Sequence, residues 1–408
     1  MDRTEETART RPAGPEAGGS PAAGPRILFF SGGTALGALA RVLKIQTHNS
    51  IHIITPFDSG GSSGSLRKAF GIPSVGDLRS RLMDLADETI PRLAAIRRLV
   101  RHRFSRKAGR NSLELQLQEM CAGRHPLMRA LPGEMSNLAR THLRLLAARK
   151  PHRFDLRGAN LGNLILAGGA LRDQGRLRPV VTRLSRLLGA LGVVCPVTDQ
   201  SLHLAARLAD GRYLVGQHRL TGKEAPAITS PVRDLHLVDT RAAPERVRPP
   251  AGREVLRLIA GADLICYPMG SFYSSLLANL LPAGIGRAIR SATCRKMYIP
   301  STGLDPEQLG MTLGDAVAAL VGILKQDAGA DSPAHAFLDT VLLDSRSGAY
   351  TLPLDSGNLA RLGLQIEDLP LVAGRGPDLD PHRLAELLLA AARPPDRLPG
   401  TAPAHPHR

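Results

Sequence analysis

Two glycine- and serine-rich runs, each placed directly behind a short apolar run, constrain this chain more than any other feature. Arg26-Ile-Leu-Phe-Phe30 opens into Ser31-Gly-Gly-Thr34, and Ile51-His-Ile-Ile-Thr55 leads to Asp58-Ser-Gly-Gly-Ser-Ser-Gly-Ser-Leu-Arg67. Apolar runs of this length read as buried strands. A chain that turns sharply behind a strand needs glycine, which also lets a ligand approach the main chain. In an open α/β sheet such turns lie at strand carboxyl ends, where ligands bind. The same composition suits a flexible linker. The strand before the second run and the ordered-looking sequence after it favour a binding loop.

The residue types match anion chemistry. Gly32, Gly33 and Thr34, with Ser59, Gly60, Gly61, Ser62 and Ser63, offer backbone amides and hydroxyls to phosphate-type oxygens. Arg67 offers a bidentate clamp. The amphipathic pattern Ala35–Lys44 predicts a helix whose free N–H groups meet the first turn. Ser-Gly-Gly-Thr is neither GxGxxG nor a Walker A sequence. The two turns on consecutive strands carry the reading together.

A chain of 408 residues can bury a large core in one large domain with insertions, or in two or three domains. A formal charge of +17 raises nucleic acid as a partner. Aromatic residues are 3% with no tryptophan, however, so there is little on which to stack bases. An anionic small molecule suits the charge equally well, and nucleic acid is the weaker reading. Cys121, Cys195, Cys266 and Cys294 form no C-x-x-C pair and read as reduced, mostly buried thiols of a cytoplasmic protein. Residues 1–25 lack the apolar segment of a signal or anchor and read as a disordered tail. No apolar run is long enough to predict a membrane span. The sequence leaves the oligomeric state open, a homo-oligomer included.

Further along, Gly71-Ile-Pro-Ser-Val-Gly-Asp-Leu-Arg79 leads into a helix predicted over 76–88. Asp77 suits a helix N-terminus or an orienting partner for Arg67 or Arg79. Residues 90–149 are helical in pattern with breaks at Gly109, Gly123, Pro126 and Pro132, a helical insertion. Asn160 and Asn163 precede the apolar helix Leu164–Leu171 and read equally as caps or as readers of a base or sugar. Val193–Thr198 reads as a strand. The runs around Ala209-Asp-Gly211 read as a hairpin that, with Val232–Val238, adds antiparallel strands to a parallel sheet. Ala262–Tyr267 reads as a strand ending in Gly270-Ser-Phe-Tyr-Ser-Ser275, with a helix following from Leu276. Ile285–Ser291 and Thr312–Lys325 are predicted helices with a strand at Lys296–Pro300 between them. Beyond 328 the pattern weakens, with an edge strand at Val341–Leu343, a helix at Pro381–Ala392 and a disordered tail over 393–408.

Ser31-Gly-Gly-Thr34, the Asp58–Arg67 run, Gly71-Ile-Pro, Gly76–Arg79, Gly162-Asn163, Val194-Cys-Pro-Val-Thr198, Ala262-Asp263, Gly270–Ser275 and Asn279-Leu-Leu resemble the CofD/YvcK family in order and spacing, over residues 26–327. The resemblance implies a Rossmann-like three-layer α/β sandwich with a mostly parallel sheet, an antiparallel hairpin addition and the insertion at 90–149. Residues 328–392 form a C-terminal extension of this domain. The resemblance also implies a nucleotide-type ligand across the strand carboxyl ends. One arm of the family transfers a phospholactyl-type phosphoryl group from a guanosine diphosphate-linked donor to a deazaflavin alcohol with Mg²⁺. The other arm binds UDP-sugars without established catalysis. Whether this chain is an enzyme or a sensor stays open. Transfer would cast Asp58 as Mg²⁺ ligand or base and Arg67 as the group meeting developing charge. Gly32, Gly33 and Thr34 would hold the diphosphate, and Ser271 and Tyr273 would close the far side. Asn163 and Gly270 complete the expected ligand contacts, with no covalently bound cofactor. The chain departs from the family pattern at Ala35, where a further glycine is usual. It departs again at Pro300-Ser301, where an asparagine is usual, and at Asp315-Ala316, where an acid–histidine pair is usual.

Overall fold

The computed structural model describes residues 20–222, 224–355, 359, 361–372 and 378–393. Its strands are β1 (Ile27–Ser31), β2 (Ile51–Ile54), β3 (Val193–Pro196), β4 (His203–Leu208), β5 (Tyr213–Val215), β6 (Val232–Val238), β7 (Arg246–Val247), β8 (Leu264–Tyr267), β9 (Arg295–Tyr298), β10 (Thr340–Leu343) and β11 (Gln365–Asp368). Seven of them form one sheet in the order β11-β10-β9-β8-β1-β2-β3, and every pairing in it is parallel.

Strands covered on both faces are mostly apolar along their length, which is why Ile27-Leu-Phe-Phe30 and, apart from the buried His52, Ile51–Ile54 read as runs rather than alternations. Successive side chains still point to opposite faces. Ile27 and Phe29 pack with Leu39, Leu43, Leu384 and Leu388 on one side. Leu28 and Phe30 pack with Val255, Ile285, Ile289, Val317 and Leu320 on the other. Helix α1 (Gly37–Gln46) and the C-terminal helix Pro381–Ala391 thus cover one face. Arg253–Ala260, Ile285–Ser291 and Leu313–Ala328 cover the opposite one, giving the expected three layers.

Four features differ from the sequence-based expectations. The antiparallel strands do not extend the main sheet but form their own four-stranded sheet, β5-β4-β6-β7. Its inner residues Leu204, Ala206, Leu235 and Leu237 join the same apolar core. The strand at 340–343 is no edge, because β11 pairs outside it, so the segment after 328 completes the main sheet. Residues 20–25, assigned to the N-terminal tail, are ordered: Asn49 Nδ2 donates to Ala22 O at 2.9 Å and Gly24 O at 2.7 Å. The remainder of the two expected tails, 1–19 and 394–408, lies outside the described residues. Finally, the Asp58–Arg67 run is a loop only as far as Gly60. Helix α2 (Gly61–Phe70) takes up the rest, so Ser62, Ser63 and Arg67 are helical residues.

The stretch 90–149 forms the helices Leu93–Arg101, Arg110–Ala122, Pro126–Arg129 and Gly133–Arg149. Of these, Leu93–Arg101 and Gly133–Arg149 pack against Leu161–Arg172, a helix apolar nearly all round and therefore interior. Gly168 permits that burial, since a Cβ there would lie 2.0 Å from the His142 carbonyl oxygen. Among the described residues no helix is long and apolar enough to cross a membrane.

Candidate functional site

The sheet order reverses between β8 and β1, because β1 continues to β2 on one side while β8 continues to β9 on the other. Loops at such a switch point diverge and leave a crevice at the strand carboxyl ends. Here the crevice is a cavity of about 290 Å³ walled by Ser31–Leu36 after β1, Pro268–Ser271 after β8, and Asp58 and Gly60 after β2. Gln217, His218, Thr221 and Glu224, which follow β5 of the small sheet, also line it, with Asp77, Ser275 and Leu276.

The β1 turn is held from three directions. Asn279 Nδ2 donates to Ser31 O at 3.1 Å and to Ser275 O at 2.8 Å, joining the turn to the helix behind β8. Arg81, fully buried, donates to Gly32 O at 3.2 Å and pairs with Asp84 at 3.3 Å. Burial brings that guanidinium down to about 10. Asp77, from the first turn of α3 (Gly76–Leu85), lies so close that a Cβ on Gly33 would stand 2.3 Å from its Oδ1. A side chain at 33 would therefore have to push the Asp77 carboxylate aside.

At the start of α2, Asp58 Oδ1 accepts the Gly60 amide at 3.0 Å, and Glu224 Oε2 accepts the Gly61 amide at 3.0 Å. His218 Nδ1 and Ser59 Oγ lie 2.8 Å apart, and the His218 amide donates to the same oxygen at 3.3 Å. Burial, with Arg241 nearby, lowers the His218 imidazole from its ordinary value, which favours the neutral form at neutral pH. Behind β8, Ser301 Oγ accepts the Gly270 amide at 2.8 Å and lies 3.0 Å from its carbonyl oxygen. Ser301 stands in the departure from the family pattern, and it serves here to close this turn.

The helix start that follows is already occupied. Phe272 N donates to Asp305 at 2.8 Å, and the Tyr273 and Ser274 amides each donate to Glu307 Oε2 at 2.8 Å. Burial, and then the Asp305 charge, pushes Glu307 up to about 7. The helix itself begins at Phe272, four residues before the expected start, as a wide π turn over Phe272–Leu277.

Gly32, Gly33, Thr34, Asp58, Gly60, Gly270 and Ser271 thus line one cavity, while Ser59 and Gly61 stand at its edge through His218 and Glu224. The other expected site residues face elsewhere. Ser62 Oγ accepts the Asn160 amide at 3.1 Å. Ser63 is buried beside Gly76, near Asn163, whose Oδ1 accepts Arg79 Nε at 2.7 Å. Arg67 is no anion clamp. Its guanidinium donates to the carbonyls of Phe57 at 2.7 Å, Asp58 at 3.1 Å and Leu202, and burial lowers it to about 10. Helical geometry turned it back under the loop instead of out over it. Tyr273 likewise points away, its hydroxyl 3.5 Å from Met311 Sδ.

Asp77, Gln217, His218 and Glu224 were not singled out as ligand contacts. Asp77 carried a signal, being an acid directly behind Gly76, but its helix-start position explained it without a ligand. The other three reach the cavity from the small sheet, some 160 residues from Asp58, and carry no local signature. Among the described residues of the lining, Asp58, Asp77 and Glu224 are carboxylates and none is Lys or Arg.

The fold and this cavity define an α/β protein with glycine-rich turns lining a cavity at a sheet switch point. The chain belongs to the CofD family: the sequence profile described as 2-phospho-L-lactate transferase CofD matches residues 27–367. It is 28% identical over 379 residues to the gluconeogenesis factor of Bacillus subtilis, covering 90% of this chain and 97% of that protein. Identity to the gluconeogenesis factor of Halalkalibacterium halodurans is 30% over 296 residues, 72% of each chain. A crystal structure of a UPF0052-family protein from Bacillus halodurans matches with a TM-score of 0.63 at 25% identity, covering 90% of this chain and 99% of that one.

Proposed function

We propose that the protein binds a nucleotide-diphosphate type ligand in the switch-point cavity and acts as a nucleotide-responsive regulator of the gluconeogenesis-factor kind. The observation that carries this reading is the meeting of the Gly32–Gly33 turn, the Asp58–Gly60 turn and Gly270 around one cavity of about 290 Å³. Glycine amides at strand ends suit a diphosphate, and the start of α2 favours negative charge. The relatives' name, gluconeogenesis factor, supports a part in gluconeogenesis. Mass spectrometry of ligand carried through purification tests the reading, followed by calorimetry with GDP, UDP and UDP-sugars. Absence of any nucleotide, with no heat of binding, refutes it.

Mg²⁺ fits this site only as a companion of the ligand. Among the described residues no group of three or more His, Cys, Asp or Glu is placed to hold a metal ion. Mg²⁺ is commonly held by one or two carboxylates plus phosphate oxygens. Asp58 supplies one carboxylate, and the ion when bound would offset the negative lining.

A second reading, phospholactyl-type transfer to an alcohol acceptor, is favoured by Asp58 standing in the same wall as the glycine turns and by the description of the matching profile. There the acceptor's hydroxyl oxygen would bond to the transferred phosphorus as the diphosphate P–O bond breaks and a nucleoside monophosphate leaves, Asp58 receiving the hydroxyl's proton and the turns holding the phosphates. Consumption of the co-purified ligand on adding Mg²⁺ and a flavin-like alcohol supports transfer, and an unchanged ligand supports regulation.

A further inference from the structure

Residues 91–160 hold sixteen Lys and Arg against four Asp and Glu, a net +12 out of the chain's +17. Three of the four acids are engaged locally: Glu114 with Lys150 at 2.7 Å, Glu119 with Arg124 at 3.4 Å, and Asp155 with Arg157 at 2.6 Å. The remaining 338 residues carry only +5, so arginine usage across the chain does not account for the asymmetry.

This basic region contains a groove of about 930 Å³ between the helices Arg110–Ala122 and Gly133–Arg149. Leu117, Ala122 and Ala147 give it apolar wall, while Arg110, Arg144 and Arg153 give it positive charge. Beside it, Leu115 is 59% exposed, the one large apolar side chain so exposed in residues 91–160. The groove shares no residue with the switch-point cavity.

We propose that this groove docks an acidic amphipathic helix of a partner protein. Thirteen residues of helix at about 1.5 Å per residue make a wall roughly 20 Å long, room for three to four turns of a second helix. Apolar floor and basic rims are complementary to a helix with leucines on one stripe and acids on its flanks. A nucleic acid is a poorer match, because the aromatics of residues 91–160, Phe104 and Phe154, are both buried and offer no stacking surface. An anionic membrane is a poorer match as well, because a single exposed leucine is no apolar stripe.

The test uses the full chain and fluorescence anisotropy with a labelled Glu/Leu peptide of about 20 residues, its leucines at helical i, i+3, i+4, i+7 spacing. A scrambled peptide of equal composition, a single-stranded RNA of similar length and phosphatidylserine vesicles are the competitors. The patterned peptide should bind at least about tenfold tighter than the scrambled one and weaken with salt. Leu115→Asp and the double change Arg110→Glu with Arg153→Glu should each cost about tenfold while unfolding curves stay unchanged, since all three side chains are exposed. Equal binding of the scrambled peptide, tighter binding of RNA or vesicles, or indifference to both variants overturns the proposal.

Discussion

Glu224 Oε2 accepts the Gly61 amide at 3.0 Å, so an acid from 163 residues away satisfies the first free N–H of α2. A ligand phosphate seeking the same amide must displace that carboxylate or tolerate its charge. Glu224→Gln is therefore expected to tighten nucleoside-diphosphate binding by about tenfold, about 1.4 kcal/mol. Calorimetry on both proteins checks this. An equal or weaker affinity in the variant would show that the carboxylate does not compete.

Asp58 separates geometry from charge. Its Oδ1 holds the Gly60 amide, a bond that asparagine can also accept. Asp58→Asn should change unfolding free energy by less than about 1 kcal/mol, the worth of one hydrogen bond. The same variant should lose the Mg²⁺-dependent part of ligand affinity, measured by titration with and without the ion. Full retention of that part removes Asp58 as the metal's carboxylate.

Arg67 is a matter of stability. Replacing its guanidinium by the methionine side chain strands three carbonyls that it now satisfies, those of Phe57, Asp58 and Leu202. Breaking a buried charged network of this kind costs about 3–5 kcal/mol. Arg67→Met should lower the unfolding free energy from urea denaturation by that amount, and Arg67→Lys should recover little, lacking the planar fork. Normal stability with lost ligand binding would instead return Arg67 to the ligand.

Glu307 gives a pH signature. Burial raises its folded pKa to about 7, above the ordinary value of 4.5, so between those two values the folded state keeps a proton that the unfolded state has released. The contribution of this group is present below about 4.5 and is lost as pH rises toward about 7. Glu307→Gln should flatten that part of the stability curve in urea titrations across pH. A slope unchanged by the substitution would assign it to other groups.

Much of the fold was legible in the sequence because the central strands of the main sheet, Ile27–Ser31, Ile51–Ile54 and Leu264–Tyr267, are short runs buried on both faces. The helices of 93–149 announced themselves by leucine spacing. The Ser31–Thr34 and Asp58–Gly60 turns were legible for a related reason, since glycine behind a strand has few purely structural uses. Arg67 misled because a charged residue at the end of a Gly/Ser run looks exposed when helical phase is unknown. Once α2 starts at Gly61, Arg67 falls on its inner face.

The Asp58 run returns with a narrower meaning. Local sequence determined that a strand ends there, that the backbone turns on glycine, and that an acid stands at the turn, all consequences of near-neighbour sterics. Tertiary structure decided which of its groups face the cavity. The parallel order of the sheet set the Asp58 turn beside Ser31–Thr34 and Gly270, and the separate antiparallel sheet brought Glu224 and His218 over it. Those contacts join residues far apart in the chain, and the energy that selects them lies in packing two sheets on one core rather than in any local pattern.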